Sequence, residues 1–508
     1  MNFTEPPETL QTSLFPEADS SPNVADLVAP KTYTGIAGIH KYWGKKPIES
    51  MSYLVEALTN EGDTVLDPFL GSGLISLDCM FRKRRFIGID INPFSIEYAS
   101  FLLNPPSKQE YYQALLEIET SVADKINNSY MTTEGRTASH YLWEGNEIIS
   151  VWIKPDSGRT RIEVEPSEID LKSYSTYKDY RPQHFRNLRF FSNSRINVKP
   201  TMTIGDIFTG RAMRNIDLLI GAVSHYPLHI KRALLLTLTS ASGQMSNMVF
   251  AIKNRGNGKK IKTVDKIEVG SWVIGFWLPH THFEINVWNC FKNRTNKLLK
   301  VLPCQKQTIY KVSNDPTSVE TSDCNAWLIN SDCRIALRKI PSRTVSLVCT
   351  DPPHSDRVPY LELSEMWNSL LGYTVDFERE IVVSNAKERQ KLKSTYNLEM
   401  TEFFMETSRV LKPGGYIALY FNARDEESWQ YLKCIESTSD SLKFVGCFPM
   451  TYSATSVVQD NRKGAMKTDY VIVYQKLDAN DLYQLNSALV RIPGWSAKFP
   501  ERNGCKSE

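Results

Sequence analysis

TVLDPFLGSGLISLDCMFRKRRFIGIDINP, residues 64–93, decides the fold. TVLD reads as a short apolar strand, GLISLDCMF as a helix and RFIGID as a second strand. Asn92 stands where a helix cap is wanted, Pro93 suits the first helical position, and SIEYASFLL carries the helix to a stop before Pro105. Strand, helix, strand, helix is one βαβ unit of a doubly wound parallel sheet. Gly71 and Gly73 let the backbone turn sharply and approach a ligand at the helix start. Asp67 ends the first strand, and Asp90 closes the second 90 − 67 = 23 residues later, where a carboxylate commonly accepts hydrogen bonds from ribose hydroxyls. A glycine turn before a helix is also an ordinary packing device, so this loop alone leaves both readings open.

Outward from this unit the chain divides by composition. Residues 1–30 are rich in Pro, Ser, Thr and acids with few aliphatics, and read as a flexible tail. The strand and helix alternation fills 31–104. Residues 105–325 break it with polar, Tyr-rich and Arg-rich sequence such as YSTYKDYRPQHFRNLRFF, and read as an inserted mixed or helical domain. The alternation resumes over 326–476 with strands TVSLVCT, GGYIALYF, FVGCFPM and DYVIVYQK and the helix LEMTEFFMETSRVL. The last two strands are expected to pair antiparallel at one edge of the parallel sheet. Residues 477–508 form a C-terminal extension.

Bulk properties exclude some classes. A chain of 508 residues that is 41% hydrophobic fills real cores, and 60 basic against 57 acidic residues leave only +3, so any nucleic-acid surface must be local. Nine cysteines without CxxC or other metal-ligand spacing read as reduced thiols, with neither a zinc site nor a disulfide framework. The start MNFTEPPETL lacks an apolar core for secretion, and no run of about 18 apolar residues occurs, so the expected location is the cytoplasm.

The second informative loop is TDPPH, 350–354, which follows the strand TVSLVCT. In a doubly wound sheet both loops lie at carboxyl strand ends, where ligands bind beside the switch point. A bare DPP is usually only a turn. Here VPYLELSEMWNSLL follows, which puts aromatics just beyond the acid. Such a loop suits methylation of an exocyclic amino group on a nucleobase, whose lone pair is delocalised into the ring. Asp351 would accept one N–H and the carbonyl of Pro352 the other, turning the lone pair toward an electrophilic methyl. The pair Pro352 and Pro353 removes competing backbone donors. A flat fourth residue would stack on a base flipped from the duplex.

On these residues the sequence resembles the exocyclic-amino DNA methyltransferases, which use S-adenosylmethionine to methylate N6 of adenine or N4 of cytosine. The resemblance spans about 35–103 and 326–476. It implies an α/β, doubly wound class I methyltransferase-like sheet with an antiparallel edge strand, and a target-recognition region in the insertion. DPFLGSG is similar to the cofactor loop, so Asp67, Pro68, Phe69, Gly71 and Gly73 are implied cofactor contacts, with Asp67 at the methionine end. FIGIDINP implies Asp90 and Asn92 at the ribose, NSDCRIAL implies Asp332 near the adenine, and GIHKYWGKKP implies Lys46 and Pro47 at the methionine end. The family usually has Tyr, Phe or Trp after DPP, whereas this chain has His354; neutral imidazole is flat, and the expectation is that His354 stacks on the base, helped by Tyr360. The implied activity is DNA methylation with adenine N6 favoured, in a restriction-modification, defence or epigenetic setting on nucleoid DNA. RNA amino-group methylation, or an inactive nucleic-acid-binding component, is the alternative.

Three weaker signals complete the reading. LPCQK, 302–306, resembles a cytosine-C5 nucleophile motif, but no strand precedes Cys304, so it reads as a decoy. KNRGNGKKIK, 253–262, offers Lys253, Arg255, Lys259 and Lys260 as phosphate contacts, and NVWNCFKNRTNKLLKVL reads as an amphipathic helix with Arg294, Lys297 and Lys300 pointing away from its apolar face. QTSLFP, 11–16, resembles the short peptide by which bacterial proteins dock on a sliding clamp, through Gln11, Leu14 and Phe15.

Overall fold

β1 (Thr64–Asp67) and β2 (Arg85–Asp90) pair in parallel, with Val65 beside Phe86 and Leu66 beside Ile87, as the βαβ reading requires. The structure is a computed structural model of the chain. It describes residues 33–133, 135–154, 161–253, 267–273, 275–304, 310–356, 358–422, 432, 435, 441–450, 469–477 and 486–500. The tail motif Gln11, Leu14 and Phe15, and the basic residues Arg255, Lys259 and Lys260, lie outside the described residues.

Two sheets organise the described chain. β3 (Ala138–Glu144), β4 (Glu147–Ile153), β5 (Ile162–Val164), β6 (Val249–Lys253), β7 (Ile267–Trp272) and β8 (Thr281–Ile285) form an antiparallel sheet in the order β5-β4-β3-β8-β6-β7. The inserted stretch is therefore mixed, since it also holds the helices Gly210–Val223, Leu228–Met245 and Val287–Leu299. β9 (Val312–Ser313), β10 (Ala326–Asn330), β11 (Val345–Thr350), β12 (Leu411–Phe421), β13 (Leu442–Met450) and β14 (Asp469–Lys476) join β1 and β2 in the main sheet, ordered β13-β14-β12-β11-β1-β2-β10-β9.

The six strands from β9 to β12 in that order are parallel, and β14 runs against both β12 and β13. The antiparallel pair forms as read, but the expectation of an antiparallel edge strand needs correcting. β13 holds the edge and β14 lies one place inside it, because the last strand returns between β12 and β13. The two-residue β9 at the opposite edge went unread; so short an element carries too little periodicity to register.

Alternate side chains of the parallel strands enter opposite layers, as a sheet buried on both faces demands. Val65, Phe86, Ala418 and Val471 belong to one core, with the helices Ile48–Leu58, Leu74–Phe81, Pro93–Leu103 and Tyr360–Leu370. Leu66, Ile87, Leu419 and Ile472 belong to the other, with the helices Cys333–Lys339 and Lys393–Val410. The first core runs on without a break into the inserted stretch, through Trp143, Leu234 and Phe291.

On the amphipathic helix Val287–Leu299, Trp288, Phe291, Leu298 and Leu299 are buried and Lys297 exposed, as read. Arg294 departs from the reading. It is half-buried, and loss of hydration lowers its pKa. Among the described residues no helix is long and apolar enough to cross a membrane.

Candidate active site

The strand order reverses at β1, which has β2 on one side and β11 on the other. The loops leaving β1 and β11 therefore start side by side, in register through Val65 opposite Leu347 and Leu66 opposite Val348. A hydrogen bond ties their ends together: the Thr350 hydroxyl donates to Asp67 Oδ1 at 2.7 Å. Between the loops lies a cleft enclosing about 720 Å³, part of it open solvent. Its walls include Asp67, Phe69, Gly71, Asp90 and Asn92 from the first half and Asp351, Pro353 and Tyr360 from the second. The two distant peptides share one cavity.

The glycine loop is built on Asp90. Gly71 N–H donates to its Oδ2 at 2.7 Å and Asn92 N–H to its Oδ1 at 2.8 Å. Burial nevertheless pushes the carboxyl up to about 6, against the pull of those two N–H groups. Gly71 has φ +55°, and a Cβ there would stand 3.3 Å from the ring of Tyr42, which closes over the loop. Gly73, at φ +68°, is required for packing, since a Cβ would meet that of Ala99 at 2.7 Å.

Asn92 caps the helix Pro93–Leu103 as read, accepting from Phe94 N–H, and its amide donates to the Ser364 hydroxyl at 3.1 Å. Asn368 donates back to Asn92 Oδ1 at 2.9 Å. The cap thus binds the helix after β2 to the helix after DPPH.

Several implied contacts stand elsewhere. Asp332 is not on the cleft wall: its carboxylate caps the helix Cys333–Lys339 and holds the Arg334 guanidinium at 2.7 Å. Pro47, Pro68, Gly73 and Pro352 also lie off the lining, although Pro352 connects two lining residues. His354 needs a larger correction. It is buried behind Asp351, with Nε2 3.1 Å from Asp351 Oδ1 and its ring edge-on to Phe421 at 6.0 Å, so it presents no face to the cleft. An imidazole beside a carboxylate gains more from that hydrogen bond than from standing open as a platform. Tyr360 supplies an aromatic ring on the wall instead.

Lys46, implied at the methionine end, lines the cleft, and its ammonium is directed at carboxylates: Asp351 Oδ2 at 3.2 Å and Asp469 Oδ2 at 2.9 Å. Lys253 lies exposed at the end of β6, outside the lining. Cys304 is exposed and off the cleft, as a decoy should be.

Sequence reading missed Tyr42, Trp43, Glu380 and Ile381 on the cleft wall and Asp469 behind it. Tyr42 and Trp43 fall inside the quoted GIHKYWGKKP and were there to be found. Glu380 and Ile381 sit in ordinary-looking sequence, and Asp469 only opens a strand.

Comparison with known proteins finds similarity over part of the chain. Residues 17–101 match the family model described as DNA methylase. A type II methyltransferase of Methanocaldococcus jannaschii, M.MjaII, is 30% identical over 152 residues, covering 30% of this chain and 27% of that protein. M.HpaI, a type II methyltransferase of Haemophilus parainfluenzae, is 47% identical over 55 residues, covering 11% of this chain and 18% of that one. A Thermus thermophilus protein named as a putative DNA modification methylase, solved in complex with S-adenosyl-L-methionine, aligns at 14% identity and a TM-score of 0.17 over 30% of this chain and 56% of its own. The chain spans less than a third of the length of these curated relatives. The resemblance carried by DPFLGSG and FIGIDINP is supported over that part of the chain: residues 17–101 are similar to the DNA methylase family.

Proposed function

We propose that the chain transfers the methyl group of S-adenosyl-L-methionine to an exocyclic amino group of a DNA base. The observation that carries this reading is the shared cleft, with the Asp90-anchored glycine loop on one wall and Asp351 on the other.

The residues present fit the cofactor. Both oxygens of Asp90 are steadied by backbone N–H groups, and each keeps a lone pair for ribose hydroxyls. Phe69, Leu70 and Ile91 give apolar surface for a purine, and the bare backbone at Gly71 admits close approach. When bound, the cofactor supplies an electrophilic methyl on a positively charged sulfur.

The chain's own part is orientation. Asp351 accepts one amino N–H and the carbonyl of Pro352 the other, which draws the nitrogen lone pair out of the ring and aims it into the cleft. The Tyr360 ring stacks on the flipped base, in place of His354. Adenine N6 stands ahead of cytosine N4 in this proposal, although both amino groups present the same pair of N–H bonds to Asp351 and Pro352. The inserted stretch 105–325, with Lys253, Arg255, Lys259 and Lys260, is the proposed target-recognition region. Gln11, Leu14 and Phe15 are a proposed docking peptide for a sliding clamp, in a cytoplasmic, nucleoid-associated setting.

Radiolabelled S-adenosyl-L-methionine incubated with duplex DNA, with RNA and with no polymer tests the reading. Label is expected in DNA, and mapping the modified base separates N6-adenine from N4-cytosine. Asp351→Asn should lower kcat by about 10²–10³-fold, as loss of one preorganised electrostatic contact does, while cofactor affinity stays within about threefold. Label in RNA alone would replace DNA as the substrate. Cofactor binding with transfer to no polymer would end the transferase reading.

A further inference from the structure

A carboxylate that must accept one particular N–H has to be fixed in direction as well as in place. Free rotation about its last side-chain bond would spread its lone pairs over all angles, and catalytic groups work within about 10–20° of their productive orientation. Asp351 is held on both oxygens. His354 Nε2 stands 3.1 Å from Oδ1, and the Lys46 ammonium 3.2 Å from Oδ2.

A lysine ammonium on a flexible four-carbon stem makes a poor clamp unless it is itself held. The holder is Asp469, the first residue of β14, whose Oδ2 lies 2.9 Å from Lys46 Nζ. The side chains of Lys46, Asp351 and Asp469 are only 7%, 15% and 5% exposed, so their charges interact with little solvent screening. On its far side, Asp469 Oδ1 accepts a hydrogen bond from the Asn422 amide, which comes just after β12. The line Asn422, Asp469, Lys46, Asp351 thus runs from the β12 and β14 strand ends to the cleft wall.

We propose that Asp469 is a positioning residue: by anchoring Lys46 it orients the Asp351 carboxylate toward the amino group to be methylated. This rests on the transferase reading above and adds a residue that lies in none of the motifs of the sequence. It also gives Lys46 a different task from contact with the methionine end of the cofactor. Asp469 acts through Lys46, so its effect must vanish once Lys46 is gone.

A double-mutant cycle in the full-length protein tests this, with transfer of labelled methyl to duplex DNA and cofactor binding by calorimetry as separate readouts. Asp469→Asn should lower kcat by about 10–100-fold, the range expected when a reacting group is displaced by up to an ångström, with KM and Kd for S-adenosyl-L-methionine within about threefold. Lys46→Met should give a comparable loss in kcat. Adding Asp469→Asn to Lys46→Met should give no further loss. Unfolding of the cofactor-free proteins supplies a readout independent of turnover, in which the same two substitutions should again couple rather than add.

If Asp469→Asn does not fold, Asn422→Ser, which removes only the outer amide, should still cost several-fold in kcat, and an unchanged kcat there would overturn the proposal. Losses that multiply in the double variant, or a loss confined to KM, would overturn it while leaving the transferase reading intact. Absence of transfer by the unaltered chain would overturn both.

Discussion

Asp67 illustrates how burial sets chemistry at a single residue. It is 3% exposed, and desolvation raises its carboxyl from 3.8 to about 7 even though Thr350 and Phe69 N–H both donate to it. A folded-state pKa above the unfolded one means that the native state binds the extra proton. The stability this confers is complete below about 3.8 and is lost as pH rises toward about 7. Above that, holding Asp67 ionised costs on the order of 4 kcal/mol. Asp67→Asn keeps an oxygen for both donors and removes the charge, so the cofactor-free variant should melt a few °C above the unaltered chain at pH 8 and at about the same temperature at pH 4. Melting curves across that range check it, and a variant less stable at pH 8 would contradict the assignment. At this scale the sequence was readable wherever an acid closes or directly follows a strand, as at Asp67, Asp90 and Asp351. It was unreadable where a side chain chooses between neighbours: nothing in DPPH says whether His354 turns to a base or to Asp351.

At the scale of the element, the turn from β1 into the helix Leu74–Phe81 depends on two left-handed glycines with different duties. Gly71 leaves room for Tyr42, while Gly73 lets this helix start close against Ala99 of the helix Pro93–Leu103. Gly73→Ala must place a methyl 2.7 Å from another in a backbone conformation that L-residues avoid, so it should lower stability by about 2–4 kcal/mol. Chemical denaturation measures this, and a loss under about 0.5 kcal/mol would show that the helix pair can part. β1, β2, β11 and β12 of the parallel sheet were legible because their apolar runs are dense and bounded by Gly, Pro and Asp, whereas β9 and β10 went unread. The place of β14 was not legible, since pairing order depends on how the chain returns and leaves no periodicity of its own.

At the scale of the molecule, the inserted stretch and the segment 326–476 meet around one buried cation. The Arg389 side chain is 1% exposed and donates to Glu362 at 2.8 Å and to Glu380 at 2.5 Å. Glu362 also accepts from Asn193 of the insertion at 2.7 Å, and Glu380 reaches the cleft wall. Arg389→Met would leave two buried carboxylates facing each other, at a cost of about 3–5 kcal/mol. The expected result is a melting temperature lowered in 1 M salt as much as in 0.1 M, because screening barely enters so dry a site; a salt-sensitive loss would place the triad in solvent. By itself the sequence determined the βαβ grammar and the acids and glycines at the strand ends, because backbone preference and side-chain type act locally. Only the tertiary structure decided that Lys46 faces Asp351 and Asp469, that His354 lies behind the acid it follows, and that the insertion shares the first core. The first and last join residues tens to hundreds of positions apart, and the second is a choice His354 makes between the cleft and the acid three residues before it; burial and charge pairing decide all three.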